Sequence, residues 1–267
     1  MANRVMVFIP TYNCQQQIQR VLSKIDKYVQ SYIDEVVIID NRSSDNTVNE
    51  AILASKEISK KVTVLRNNQN YNLGGSIKRA FIYAIENNYD YMITLHGDDQ
   101  ADIRDLLPVF QSGDYTRNDI VIGARFHKKS ILKGYSLVRI LGNKVLNFVC
   151  SVINLRQVDD LIAGINFFNV SFFKNKFFLN FPDNLTFDAH VLLYAFNKKA
   201  KVTYVPITWR EEDQISNAKV VNQAIIILKL FFRYLIKRDK VFVANTSGRS
   251  IGFEYKSEIM WNSQDLI

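Results

Sequence analysis

The feature that most constrains this chain is the spacing of its apolar runs. Val5–Ile9 (VMVFI), Glu35–Asp40 (EVVIID), Val62–Arg66 (VTVLR) and Tyr91–Leu95 (YMITL) are short, nearly continuous and rich in β-branched residues. Runs of that kind are strands buried on both faces. Between them the pattern switches to a helical period. Ile18, Val21, Leu22, Ile25 and Val29 share one helix face, and NTVNEAILASKEISK predicts a second helix. Ile77, Ala80, Phe81, Ala84 and Ile85 recur at spacings of three and four. A fifth strand is predicted at Asp119–Gly123. Strands alternating with helices predict an α/β fold with a mostly parallel sheet and right-handed crossovers.

In such sheets ligands bind outside the carboxyl ends of the strands. Three polar clusters fall there: PTYN (Pro10–Asn13), DNRSSDNT (Asp40–Thr47) and HGDDQAD (His96–Asp102). In an extended segment Asp98 and Gln100 point the same way, with His96 two residues earlier on that side. A hard divalent cation takes few ligands from such a set and the rest from phosphates and water. The competing reading is an acidic turn in which Asp102 or Asp105 caps a helix. Asp40, directly at a strand end, can accept hydrogen bonds from a ribose or a base N–H. Ser44 or Asp45 suits a helix cap instead. NYNLGG sets Asn70, Gly74 and Gly75 before a helix, where free N–H groups favour anions or glycine permits close packing. No G-x-G-x-x-G follows the first strand and no Walker A loop occurs, which excludes those two phosphate-binding devices.

The second half is less regular. VRILGNKVLNFVCSVI, TFDAHVLLYAFNKKA and NQAIIILKLFFRYLIKR predict helices, and KVTYVPITW a strand that Pro206 ends. The last helix embeds Lys229, Arg233, Lys237 and Arg238 among apolar positions that run nearly all round. It suits a membrane interface, a core or an oligomer contact. Charge is uneven: 14 Lys+Arg against 15 Asp+Glu through residue 125, then 20 against 11, giving −1 and +9 of the total +8. A basic half implies an anionic partner or a lysine-rich solvated surface. Its cations are dispersed without a nucleic-acid-binding motif, so no nucleic acid is expected. Cys14 and Cys150 make no disulfide framework, which fits a reducing, cytoplasmic compartment. The apolar start, broken by Pro10, is too short for a secretory signal. No window reaches the roughly 18 apolar residues of a membrane span.

The order P-T-Y-N, D-N-x-S-x-D-x-T, N-x-x-x-G-G-x-x-x-A and D-x-Q after the fourth strand resembles family 2 glycosyltransferases of the GT-A (Rossmann-like) fold. It looks most like their dolichyl-phosphate mannosyltransferase-like branch. Gly123–Arg125, Arg139 with Asn143, Asp160–Gly164, FDAHVLL and VPITWR continue the likeness to about residue 220. The resemblance implies one catalytic domain over 1–220, with a nucleotide-binding half (1–125) and an acceptor half (126–220). Residues 221–267 would be a C-terminal helix and tail touching a membrane or a second copy.

It also implies an inverting transfer from a UDP- or GDP-linked sugar to a polyprenyl phosphate or glycan, in cell-surface polysaccharide or glycolipid synthesis. Pro10, Thr11, Tyr12, Asn13, Asp40, Asn41, Asn70, Gly74, Lys78, Gly97, Asp98 and Arg125 would line the nucleotide-sugar. Asp98 and Gln100 would hold the divalent ion. Arg139, Arg210 and Lys219 would neutralise donor or acceptor phosphates. Relatives usually carry D-x-D-x-Q, whereas His96 stands at the first aspartate here. An imidazole suits Mn²⁺ and suits Mg²⁺ poorly, so manganese is the expected ion. Asp188 or His190, at a helix start, is the candidate base for a hydroxyl acceptor; an ionised phosphate needs none. The alternative function is a catalytically silent relative that binds nucleotide or glycan. The inner membrane face is the expected place of work.

Overall fold

The computed structural model describes residues 3–213 and 220–266. The first half follows the sequence pattern: β1 (Val5–Thr11), α1 (Ile18–Ser23), α2 (Lys27–Gln30), β2 (Glu35–Asp40), α3 (Thr47–Ser55), β3 (Lys61–Asn67), α4 (Asn72–Glu86) and β4 (Tyr91–Leu95). Then come α5 (Leu107–Ser112), β5 (Ile120–Ala124), β6 (Ile131–Lys133), α6 (Leu137–Asn154), β7 (Ile165–Asn169) and α7 (Phe187–Asn197). The last elements are β8 (Val202–Pro206), β9 (Thr208–Arg210), α8 (Val220–Lys237), α9 (Lys240–Val243) and β10 (Ser257–Asn262).

Eight strands form one sheet in the order β10-β3-β2-β1-β4-β7-β5-β8. β1, β2, β3 and β4 pair in parallel, as do β5 and β8. β7 runs antiparallel to both its neighbours, so the sheet is mixed. The continuous apolar runs are explained by burial on both faces. Met6 and Phe8 enter one core with residues of α4, α6, α7 and α8, whereas Val5, Val7 and Ile9 enter the other with α1, α2 and α5. β6 and β9 form a separate parallel pair.

Three expectations change. The single helix predicted over Ile18–Val29 is two, because Asp26 accepts from Tyr28 N and Val29 N and starts a new turn. All five of its apolar residues are nonetheless buried. The tail adds β10, antiparallel to β3 with a register shift between Ile259 and Trp261. Its residues are exposed or half-buried throughout, as in an edge strand, and carry little sequence signal. Finally, α6 is long and apolar enough to cross a membrane by length and composition.

Candidate active site

The carboxyl ends of β2, β1 and β4 lie side by side and bring the three polar clusters together. The join is tight at Gly97. Its N–H donates to Pro10 O at 3.2 Å. A Cβ there would meet Pro10 O and Thr11 Cγ2 at 2.9 Å, so only glycine lets the acidic loop lie against the end of β1. Tyr12, the next residue after β1, is 48% exposed. Thr11 and Cys14 are buried, and burial pushes the Cys14 thiol up to about 12.

The two adjacent aspartates have opposite fates. Asp99 takes a left-handed backbone, φ 63°. Its buried carboxylate gathers Arg20 at 2.9 Å, Arg210 at 3.0 Å and Lys24. Asp98 stays 39% exposed, with Oδ2 4.0 Å from His96 Nδ1. Gln100 N donates to Asp98 Oδ1 at 3.1 Å. Its side-chain amide donates to Glu211 at 3.4 Å, which leaves the carbonyl oxygen as a ligand. Among the described residues no three His, Cys, Asp or Glu side chains form a closed metal cage. His96 and Asp98 nonetheless suit one ion, since donors about 2 Å from a cation stand a few ångströms apart. His96 Nε2 is buried without a hydrogen-bond partner. Desolvation holds the imidazole pKa low against the pull of Asp98, so the ring is neutral and offers a lone pair. Desolvation also raises Asp98, opposed by His96, and a bound divalent cation would favour the ionised form.

Asp40 is buried and builds its own turn. Its carboxylate accepts from Arg42 N and Ser43 N and pairs with Arg66 at 3.3 Å. A ligand reaches only the lone pairs those contacts leave. Asn13 serves the same loop, accepting from Ser44 N at 2.8 Å. Asn41 accepts from Tyr71 N and Asn67 and donates to Asn70, so that pair braces the start of α4.

Several expected ligand contacts are committed elsewhere. Lys78 is fully buried: its ammonium donates to Phe181 O at 2.5 Å, Asp183 at 2.7 Å and Tyr255 at 3.0 Å. It pins the 179–183 loop and the tail, not a donor phosphate. Gly74 lies on the same contact, where a Cβ would sit 2.7 Å from Pro182 O. Arg125 grips Asp160 through Nε at 2.8 Å and Nη2 at 2.9 Å, and lies 5.1 Å from the Trp209 ring centroid. Burial alone would depress its pKa, but Asp160 holds it above the ordinary value. Arg139 pairs with Glu211 at 2.6 Å. Arg210 reaches the acidic loop, its N–H donating to Gln100 O at 2.9 Å, but spends its guanidinium on Asp99. Lys219 lies outside the described residues.

Asp188 is buried in the first turn of α7 and lines a small apolar cavity with Ile122, Leu161, Ala163, Asn166 and Phe168. Desolvation alone pushes its carboxyl up to about 7. His190 is a structural histidine: Nδ1 lies 2.9 Å from Thr186 O, and desolvation drives it down to about 4. Sequence reasoning missed Asp99 as an anchor with Arg20 and Asp213 around it, Glu211 as the partner of Gln100 and Arg139, and Trp209 beside Arg125. Arg20 also pairs with Asp213 at 2.7 Å. The one available signal was the acid-rich stretch Glu211–Asp213 beside Arg210.

Residues 6–177 match the model of the family "Glycosyl transferase family 2". This chain belongs to that family. A dolichyl-phosphate β-glucosyltransferase of Saccharomyces cerevisiae is 22% identical over 256 residues, covering 87% of this chain and 76% of that protein. A UDP-N-acetylglucosamine–dolichyl-phosphate N-acetylglucosaminyltransferase of Methanococcus voltae is 26% identical, covering 89% and 97%. These names place this family member in the dolichyl-phosphate mannosyltransferase-like branch. The glucosyl-3-phosphoglycerate synthase of Mycobacterium tuberculosis, solved with Mn²⁺, UDP and phosphoglyceric acid, shares the fold. It gives a TM-score of 0.62 at 13% identity, over 96% of this chain and 86% of that one. The GT-A architecture is therefore that of this glycosyltransferase.

Proposed function

We propose that this family 2 member is an inverting enzyme that moves a sugar from a nucleoside-diphosphate donor onto a polyprenyl phosphate at the inner membrane face. The observation that carries the reading is Asp98: a half-exposed carboxylate at the end of β4, 4.0 Å from a neutral imidazole and joined through Gly97 to the tyrosine-bearing end of β1. Tyr12 offers a stacking face for the base, and Asp40 holds the turn beside it. Asp98, Gln100 and His96 would hold a divalent ion, Mn²⁺ in preference to Mg²⁺ because of the imidazole. When bound, that ion offsets the charge growing on the departing diphosphate. Arg210 and Arg139, paired with Asp99 and Glu211, brace the acidic loop that presents these ligands.

The dolichyl-phosphate acceptors for which the yeast and Methanococcus relatives are named support a lipid phosphate. Such an acceptor is already ionised and needs no base, which agrees with Asp188 sitting in an apolar cavity. Asp188→Asn is therefore expected to keep transfer; its loss would make the acceptor a hydroxyl and Asp188 its base. The test of the whole reading is a thermal-shift series with UDP, GDP, CDP and dTDP, each with and without Mn²⁺. At a hundredfold excess over Kd a ligand adds about 2.7 kcal/mol, a shift of a few degrees for a domain of this size. A metal-dependent shift with one nucleotide is expected. No shift with any of them would favour the catalytically silent reading.

A further inference from the structure

Two neighbouring helices carry their apolar stripes outward. On α6, Leu137, Leu141, Val145, Phe148 and Val152 recur at helical spacing and, with Leu155 just past its end, are all exposed, Leu137 by 82% and Phe148 by 68%. Its inner face is anchored: Leu146 and Cys150 are buried, and Asn147 donates to Asp159 O at 2.8 Å while accepting from Leu161 N. The adjacent helix α8 buries Ile227, Leu230, Phe231 and Tyr234 and exposes Ile225, Leu228, Phe232, Leu235 and Ile236. A soluble helix turns its stripe inward. These two present a second stripe to solvent.

Charge decides what covers it. Neither helix contains an aspartate or glutamate. Lys144, Lys229, Arg233 and Lys237 are exposed among the apolar positions, and Lys229 and Arg233 rim a shallow apolar groove lined by Ile225, Leu228 and Phe232. In a two-fold contact with a second copy, cation would meet cation across the interface. An anionic bilayer satisfies both halves of the pattern, taking phenylalanine and leucine below the headgroups and ammonium or guanidinium groups among them. Crossing the bilayer would require α6 to leave the Asn147 contacts.

We propose that the outward faces of α6 and α8 form one docking surface on which the protein lies flat against an anionic lipid bilayer. This deepens the functional reading by assigning the membrane-facing surface, and it is tested without donor or polyprenyl acceptor, so that either reading can fail alone. Purified protein is sedimented with phosphatidylcholine vesicles, pure or with about one third phosphatidylglycerol. Binding at least tenfold tighter to the anionic vesicles is expected, with release by high salt. Phe148→Ser with Phe232→Ser should weaken it at least tenfold on exposed positions that the core does not use, and Lys229→Glu with Arg233→Glu should erase the preference for phosphatidylglycerol. Both double variants should keep the parent's melting temperature and nucleotide-induced shift. Equal partition into the two vesicle types, extraction only by detergent, or no vesicle binding by a soluble dimer would each overturn the proposal.

Discussion

Two regions of this enzyme hold their polar residues in opposite ways. At the ends of β1 and β4, Tyr12 and Asp98 are half-exposed and keep ligand-facing atoms unspent. From the end of β5 onward, the arginines that the family pattern offers to phosphates are already matched: Arg125 with Asp160, Arg139 with Glu211 and Arg210 with Asp99. An open carboxylate is a binding group waiting for a cation, whereas a matched arginine is first a brace. Removing a brace should cost stability; removing an open group should cost ligand.

The sharpest break of that contrast is Lys78, expected as a ligand group and found as a brace. Lys78→Met strips a buried pair from Asp183 and should lower unfolding stability by about 3–5 kcal/mol in a denaturant titration. The nucleotide response of the surviving folded fraction should be unchanged. A normal melt with lost nucleotide binding would return Lys78 to the site.

Asp188 comes next, as a buried group that is neither open nor matched. Its pKa of about 7 lies above the ordinary 3.8, so the folded state binds more protons than the unfolded state between those values. Stability should therefore fall as pH rises from 4 to 7, by at most about 3–4 kcal/mol at 1.4 per unit. Asp188→Asn should flatten that limb and melt higher than the parent at pH 8. An unchanged slope would show that the cavity is wet.

Asp98→Asn should leave the unliganded melt nearly untouched and remove the whole metal-dependent nucleotide shift, about 2.7 kcal/mol at a hundredfold excess. Persisting Mn²⁺ dependence would refute the ligand assignment. The smallest effect belongs to Glu211→Gln. Its pair with Arg139 is partly exposed, so stability should change by under about 1 kcal/mol. The rim would then carry one negative charge less, read as a few-fold tighter nucleoside diphosphate in calorimetry. Weaker binding would make Glu211 part of the metal site.

The same contrast explains what was legible in the sequence. The open rim was readable because His96, Asp98 and Gln100 are neighbours on one strand end, and strand ends follow from the apolar runs. The braces were not. Lys78 meets Asp183 and Tyr255, more than a hundred residues away, and Arg210 meets Asp99 at a comparable distance. No local pattern encodes such a meeting; it follows from which loops the mixed sheet sets side by side. Asp99 was the hardest case, since only its left-handed backbone turns it away from Asp98.

The edge strand β10 imposes an order of events on synthesis. Asn67 at the end of β3 pairs with Ser257, 190 residues later. At about 5–20 residues per second, the growing sheet presents an unpaired, apolar-backed edge for roughly 10–40 s before its own cover emerges. During that interval the nascent chain is a template for strand addition by any neighbour, and its yield in a crowded cell depends on what occupies that edge first.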